Sequence, residues 1–208
     1  MWTHTKESQA KITPKTALTY LKEGNLRFCN NLKIDRNLLK QVNQTSTGQF
    51  PFAVILSCID SRTSAELIFD QGLGDVFSIR IAGNILNDDI LGSMEYACQV
   101  AKSKLIVVLG HTRCAAITSA CSNFSMGHFT GLLKKIEPAI QMISNDGGKN
   151  KKVTLEYIDQ VSAANINLTI QQIHKQSTIL SALVASDELE IVGGLYNVET
   201  GYVDFFKN

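Results

Sequence analysis

The sequence of 208 residues has little excess charge of either sign and only three prolines. Its 20 Lys and Arg residues nearly balance its 19 Asp and Glu residues, which leaves a formal net charge of +1, and no basic run stands out. This balance argues against a nucleic-acid partner or a charged membrane surface. The sequence also lacks an apolar run of the roughly 18 residues that span a membrane. We therefore expect neither nucleic acid nor membrane as a partner.

The cysteine content of the chain does not indicate a set of disulfide bonds. It has five cysteines, an odd number at irregular spacing, which is a weak framework for disulfide bonds in a chain of this size. Metal binding or simple burial explains these cysteines better. The first residues, 1–11, are polar and lack the apolar core of a signal peptide. We expect a cytoplasmic protein, although a missing leader peptide would leave the same polar start.

Four apolar segments alternate with helical patterns along the chain. They have the β-branched and leucine content of buried strands and are Phe52–Ser57, Val76–Ile81, Leu105–Leu109 and Glu190–Tyr196. A further short segment, Val203–Phe206, follows a turn and predicts an antiparallel partner for the fourth strand. Strands that alternate with helices indicate a parallel sheet covered on both sides. The sequence predicts a three-layer α/β fold with a mostly parallel central sheet of four strands plus a short antiparallel C-terminal strand.

Residues 1–48 are predicted to form a region separate from the main fold. Thr13 and Pro14 are typical of a helix start, and the helix is expected to reach about Phe28. Residues 41–49 are polar and contain Gly48, which predicts a connector into the main fold. The predicted organisation is an N-terminal helical arm and connector over residues 1–48 and an α/β domain over 49–208. The helices predicted within that domain are Ser64–Phe69, Ile90–Ala101, Ala115–Cys121, Thr130–Ile143 and a long region from Leu155 to Ala185.

Three potential metal ligands fall at the ends of predicted strands. Cys58 follows the first strand, His111 follows Leu105–Leu109, and Cys114 opens the next helix. Open α/β sheets bind ligands beyond the carboxyl ends of their strands. Thiolate and imidazole suit zinc, and three protein ligands leave the fourth tetrahedral position open, as in catalytic zinc sites. Spacing alone leaves buried structural cysteines as an equal alternative.

A carboxylate and a guanidinium stand beside the first of these ligands. Arg62 can hold Asp60 in a bidentate pair and keep it ionised as a hydrogen-bond acceptor. An acceptor fixed in this way can orient a nucleophile held on a neighbouring metal. Taken alone, an ordinary Asp–Arg pair at a helix start is the better interpretation.

Together, these residues resemble the β-class carbonic anhydrases. The family pattern is Cys-x-Asp-x-Arg followed, roughly fifty residues later, by His-x-x-Cys, and both parts are present at 58–62 and 111–114. The resemblance extends to Gly48–Pro51, Arg80–Asn84, Glu95–Ala97 and Ile191–Val198. It implies a zinc lyase, a carbonate dehydratase, that reversibly hydrates carbon dioxide to bicarbonate and a proton.

The resemblance also assigns roles to residues of this chain. One Zn²⁺ per subunit is implied, with Cys58, His111 and Cys114 as ligands, and the Asp60–Arg62 pair would orient a zinc-bound hydroxide for attack on CO2. The implied substrate-binding residues are Gln49 for bicarbonate and Phe77 and Tyr96 for the apolar CO2 pocket, with core packing as the alternative for the two aromatics. A homodimer or a multiple of dimers is implied, with the helix Ala17–Phe28 packed on a neighbour.

Two residues depart from the family pattern, and two other functions stay open. Ala115 stands where the family usually has Gly after the second cysteine, so its methyl group could crowd the site, and Thr63 stands in place of the usual Val.

Enzymes that hydrolyse carbon disulfide or carbonyl sulfide share the fold and ligands. A non-catalytic, regulatory zinc-binding homologue is the other alternative, although it would have no use for Asp60, Arg62 and Gln49.

Overall fold

The chain forms one five-stranded sheet with helices on both faces. The computed structural model describes residues 3–145 and 153–206. The strands are β1 (Ala53–Ser57), β2 (Val76–Arg80), β3 (Leu105–His111), β4 (Glu190–Tyr196) and β5 (Val203–Phe205). They lie in the order β2-β1-β3-β4-β5, and all neighbouring pairs are parallel except the antiparallel pair of β4 and β5. The predicted sheet, including its antiparallel C-terminal strand, is confirmed.

Ten α-helices are found in the described part of the chain. They are α1 (Lys6–Gln9), α2 (Pro14–Cys29), α3 (Leu38–Thr45), α4 (Ala65–Ile68), α5 (Asp88–Glu95), α6 (Ala115–Cys121), α7 (Gly127–Leu133), α8 (Glu137–Asn145), α9 (Leu155–Gln176) and α10 (Thr178–Ala185). A π-helical turn, Tyr96–Val100, continues α5, and a 3₁₀ turn, Ala82–Asn84, follows β2. Among these described helices, none is both long enough and apolar enough to cross a membrane.

Three predicted segment boundaries differ from the structure for local reasons. The predicted helix over 130–143 is two helices, because Pro138 cannot continue a helix and instead occupies the first turn of α8. The long predicted region over 155–185 is broken at Ser177, whose hydroxyl accepts the Leu180 N–H at the start of α10. The predicted connector over 41–49 is partly helical, since Asn37 caps α3, and α3 extends to Thr45.

The central strands are buried on both faces, as their apolar content predicts. All five residues of β1 and all seven of β3 are buried. Along β1, Ile55 packs toward α2 and α4, whereas Val54 and Leu56 pack toward α5, α9 and α10. This alternation divides the core into two layers on either side of the sheet, with a third cluster around α6, α7, α8 and the end of β1.

Helix α2 packs on the sheet of its own chain. Ala17 and Leu21 are fully buried in the same core cluster as Ile55. At Gly24, a Cβ atom would lie 1.8 Å from the Phe69 carbonyl oxygen, so the helix backbone touches the loop after α4 directly. The expectation that this helix lies outside the sheet is therefore wrong for Ala17 and Leu21, whereas its packing on a neighbouring subunit stays a prediction. The boundary drawn at residue 48 stays a prediction.

Candidate metal centre

Three residues with metal-binding side chains meet where the strand order reverses. The chain passes from β1 to β2 on one side and then returns to place β3 on the other side of β1. Such a switch point opens a crevice at the carboxyl ends of the strands, where α/β proteins bind ligands. Cys58 directly follows β1, His111 is the last residue of β3, and Cys114 is the residue that precedes α6.

The ligand atoms of these residues are close enough to share one ion. The two sulfurs and the imidazole nitrogen all lie within 4.8 Å of one another, and all three residues are buried. The Cys58 and Cys114 sulfurs are 3.9 Å apart. Two Zn–S bonds of about 2.3 Å at a tetrahedral angle would separate the sulfurs by ~3.8 Å. The spacing of the sulfurs therefore fits a tetrahedral zinc ion.

The imidazole of His111 presents one nitrogen to this cluster. Its Nδ1 lies 2.9 Å from the Thr112 carbonyl oxygen, and since a carbonyl only accepts, Nδ1 must carry the proton. The other nitrogen, Nε2, is buried and has no hydrogen-bond partner among the described residues. A buried, unprotonated Nε2 without a partner is the usual state of a metal-binding histidine whose other nitrogen is held by a carbonyl.

The two thiols influence each other strongly. The contact with the Cys114 thiol, together with the Gly83 N–H that donates to the Cys58 sulfur, lowers the pKa of Cys58 to about 4. The same contact and burial raise the pKa of Cys114 well above its ordinary value. The pair therefore loses its first proton easily and its second only with difficulty. A divalent cation between the sulfurs would stabilise both thiolates, so the donor set fits zinc chemically as well as geometrically.

Asp60 and Arg62 form a bidentate pair beside the cluster, as the sequence suggested. Arg62 donates from Nε to Oδ1 at 2.9 Å and from Nη2 to Oδ2 at 2.8 Å, and its backbone N–H adds a contact of 3.0 Å to Oδ1. These contacts hold the pKa of the Asp60 carboxyl well below its usual range. Asp60 Oδ2 is 3.9 Å from His111 Nε2, so an ionised carboxylate faces the cluster.

Two donors hold the loop that carries Cys58 and Asp60. The Thr63 hydroxyl oxygen lies 2.9 Å from the carbonyl oxygens of both residues and can donate its one proton to either. Arg80 donates to the same two carbonyls from Nε at 3.1 Å and from Nη2 at 2.6 Å. Sequence reasoning singled out Thr63 only as a departure from the family and assigned Arg80 no role in the site. The available signal was a charged residue at the end of a mostly apolar strand.

Ala115 does not crowd the cluster. It is the first residue of α6, and its side chain is exposed, whereas the neighbouring Cys114 is buried. The methyl group therefore points away from the sulfurs. The site tolerates this departure from the family pattern within the described chain.

The three residues predicted to bind substrate lie away from the metal-binding cluster of the same chain. Gln49 is exposed and precedes β1, so it lies at the opposite end of that strand from Cys58. Phe77 and Tyr96 meet edge to face, with ring centroids 6.5 Å apart. They line an open groove of about 640 Å³ between the edge strand β2 and α5. The structure therefore brings Phe77 and Tyr96 together, and it places Gln49 away from the cluster within one chain.

Comparison with known proteins identifies the family. The family model described as "Carbonic anhydrase" matches residues 53–203. A carbonic anhydrase of Mycolicibacterium smegmatis is 34% identical over 198 residues, which is 92% of each chain. The solved β-carbonic anhydrase CcaA superposes with a TM-score of 0.74 at 24% identity and covers 91% of this chain and 95% of its own. A tetrameric β-carbonic anhydrase of Sordaria macrospora gives a TM-score of 0.72 at 23% identity, covering 80% of this chain and 85% of its own.

The two solved structures are too distant in sequence to show more than the fold. The family assignment depends on the family model, which matches residues 53–203 and so covers well over half of the chain of 208 residues. It depends equally on the mycobacterial relative, which matches over nearly its whole length. This protein belongs to the β-carbonic anhydrase family.

Proposed function

We propose that this chain is a zinc-dependent carbonate dehydratase that interconverts carbon dioxide and water with bicarbonate and a proton. The observation that carries the proposal is the buried Cys58–His111–Cys114 cluster with the ionised Asp60 facing it. A purely structural zinc site would have no use for a carboxylate held by Arg62 at this distance. The mycobacterial relative, named as a carbonic anhydrase, supports the same reaction.

The three ligands would hold the metal and set the charge of the centre. Zinc held by three protein ligands acts as a Lewis acid toward a water at its fourth position and makes that water more acidic. Cys58 and Cys114 would bind as thiolates, and His111 would bind through Nε2, because its Nδ1 is committed to the Thr112 carbonyl. Their burial excludes bulk water from competing for the same positions.

Asp60 is assigned the role of orienting the attacking oxygen. Its carboxylate is a pure acceptor in the neutral pH range, because Arg62 keeps its pKa low. When Asp60 accepts a hydrogen bond from the nucleophile, the nucleophile's lone pair is turned toward the carbon of CO2. Arg62 fixes the orientation of Asp60 through two parallel hydrogen bonds, which a lysine in its place could not reproduce.

The remaining substrate contacts would come from a second copy of the chain. Gln49, Phe77 and Tyr96 lie toward the amino ends of β1 and β2, away from Cys58 in the same chain. Ile59, next to the cluster, is 60% exposed, and Tyr96, in the groove beside β2, is 55% exposed. Exposed apolar surface of this kind marks sites of protein–protein contact. A two-fold partner that covers Ile59 with its groove of Phe77 and Tyr96 would complete both sites. We therefore propose a dimer or a multiple of dimers.

The test combines metal content with CO2 hydration. We expect about one zinc per chain in the wild type and CO2 hydration in a stopped-flow assay with a pH indicator. Cys58→Ser should lose the metal and the activity, whereas Cys121→Ser, a control at a half-buried cysteine outside the cluster, should keep both. Full zinc occupancy in Cys58→Ser would disprove the ligand assignment. Turnover of carbon disulfide without CO2 hydration would instead identify the related hydrolase activity.

A further inference from the structure

The turn between two of the proposed ligands has an unusual backbone. Arg113 lies between His111 and Cys114 and has φ of +55°, in the left-handed region. This conformation costs a residue with a side chain roughly 1–2 kcal/mol, so the surrounding contacts must maintain it. Whatever holds Arg113 in place also determines how His111 and Cys114 face each other.

The His111 side of this turn is attached to the sheet. The Thr112 N–H donates to the Tyr196 carbonyl at 2.9 Å, and the Val198 N–H donates to the Thr112 hydroxyl at 3.1 Å. These two bonds extend the pairing of β3 with β4 and need no side chain from the helical layer. They leave the following residue, Arg113, to be fixed by other means.

The Arg113 side of the turn is attached to α9. The Arg113 N–H donates to Asp159 Oδ1 at 2.9 Å. Asp159 is in the second turn of a helix whose apolar face is buried against the rest of the protein at Val161 and Ile166. The carboxylate is therefore presented from a rigid element, and it fixes the peptide between Thr112 and Arg113, midway between His111 and Cys114.

We infer that Asp159 is a positioning residue for the metal centre. It holds the Arg113 amide so that the Cys114 sulfur stays within reach of an ion that Cys58 and His111 would hold. The inference rests on the zinc site proposed above. Removal of a group that orients metal ligands typically changes metal affinity about 10–100-fold. We expect loss of Asp159 to affect metal retention far more than stability.

A second acidic residue also touches Arg113 and offers a matched control. Glu199 pairs with the Arg113 guanidinium, but the two side chains are 59% and 45% exposed. An ion pair in that environment contributes little. Asp159 and Glu199 thus contact the same residue, one at the backbone and one at the side chain. Only the backbone contact should matter for the metal.

The experiment measures metal retention in zinc-loaded protein. Zinc transfer to a chelating dye should be about tenfold faster for Asp159→Ala than for the wild type. It should be nearly unchanged for Asp159→Asn, which keeps an acceptor oxygen, and for Glu199→Gln. In cobalt-substituted protein, Asp159→Ala should shift the thiolate-to-metal charge-transfer bands, whereas the two other variants should not. Circular dichroism should show that all variants remain folded.

Zinc transfer at the wild-type rate from Asp159→Ala, with an unchanged cobalt spectrum, would overturn the inference. If Asp159→Ala does not fold, amide hydrogen exchange of wild-type protein decides, because Arg113 exchanging at the rate of an unprotected amide would equally overturn it. The proposed function fails separately, through a wild type that takes up no zinc. A wild type that binds zinc and hydrates CO2 alongside an unaffected Asp159→Ala would reject the positioning role alone.

Discussion

The change Gly83→Ala would test how the turn after β2 supports the metal centre. Gly83 has φ of +69° and donates its N–H to the Cys58 sulfur at 3.4 Å. An added Cβ would lie 2.9 Å from Ile136 Cδ1 and 3.5 Å from the Ala116 Cβ, in the first turn of α6. The new methyl group would therefore press between the turn and the helix that begins after Cys114.

Three contributions determine how much Gly83→Ala changes the free energy of unfolding. Holding alanine in the left-handed region costs about 1–2 kcal/mol. Ile136 can yield because its contact is the end of a flexible side chain, and we expect this to cost about 1 kcal/mol. The smaller entropy of the unfolded alanine chain offsets about 0.4–1 kcal/mol of this. The strain dominates, and the free energy of unfolding should decrease by about 2 kcal/mol, which for a chain of this length lowers Tm by about 4–8 °C.

Thermal unfolding followed by circular dichroism, with and without zinc, measures this change. Gly131→Ala is the control, because Gly131 lies in α7 with no atom within 4 Å of its added Cβ. Alanine there should raise stability by up to about 1 kcal/mol through helix propensity. Zinc transfer to a chelator should also be faster in Gly83→Ala, since the N–H contact to Cys58 is displaced. A Gly83→Ala protein as stable as Gly131→Ala would refute the reasoning.

Three further outcomes are expected. The CO2 hydration rate should rise with pH through and above neutrality, because Asp60 is already ionised there and two thiolates offset the zinc charge; a plateau reached at mildly acidic pH in stopped-flow assays would contradict this. Asp70→Asn should lower the free energy of unfolding by about 3–5 kcal/mol, because it removes a buried counter-charge from Arg36. Burial raises the pKa of Asp70, but the hydrogen bonds from Arg27 and Arg36 outweigh burial and lower it. The stabilisation by ionised Asp70 is therefore present above about pH 4 and is lost as pH falls through the pKa of Asp70 in the folded protein. Urea unfolding should show a smaller difference in unfolding free energy between variant and wild type at pH 3 than at pH 7. Gly24→Ala should destabilise by about 3 kcal/mol, since its Cβ would meet a backbone carbonyl at 1.8 Å and a helix-propensity gain near 1 kcal/mol cannot offset that clash; a rise in Tm would show that α2 packs differently.

The residues of the metal-binding cluster could be predicted from the sequence because they lie at or near the ends of strands. Cys58 and His111 directly follow or end strands whose apolar content is unmistakable, and parallel strands bring their carboxyl ends to one edge. Asp60 and Arg62 are two residues apart, so their pairing depends on no distant element. In both cases short sequence spacing and strand direction together determine the geometry.

Contacts between distant elements could not be found in this way. Arg80 reaches the Cys58 carbonyl from another strand, and Asp159 reaches the Arg113 amide from a helix 46 residues away in sequence. No periodic pattern marks a side chain that binds a backbone group in a turn. The apolar face of α2 shows the same limit, since its pattern predicts burial without specifying that Leu21 packs on its own sheet.

The loop after β1 explains how this chain can depart from its family at Thr63 without losing the site. Valine fills the same volume but has no hydroxyl, and among the described residues the Cys58 carbonyl would then keep Arg80 as its remaining donor. Arg80 ends β2, an edge strand paired on one side only, so it is the less rigid of the two supports. The Thr63 hydroxyl comes from the same loop and is buried, which ties the Cys58 and Asp60 carbonyls to one atom. The proposed ligand and the proposed orienting carboxylate are thereby held by one short segment, independently of movement at the sheet edge.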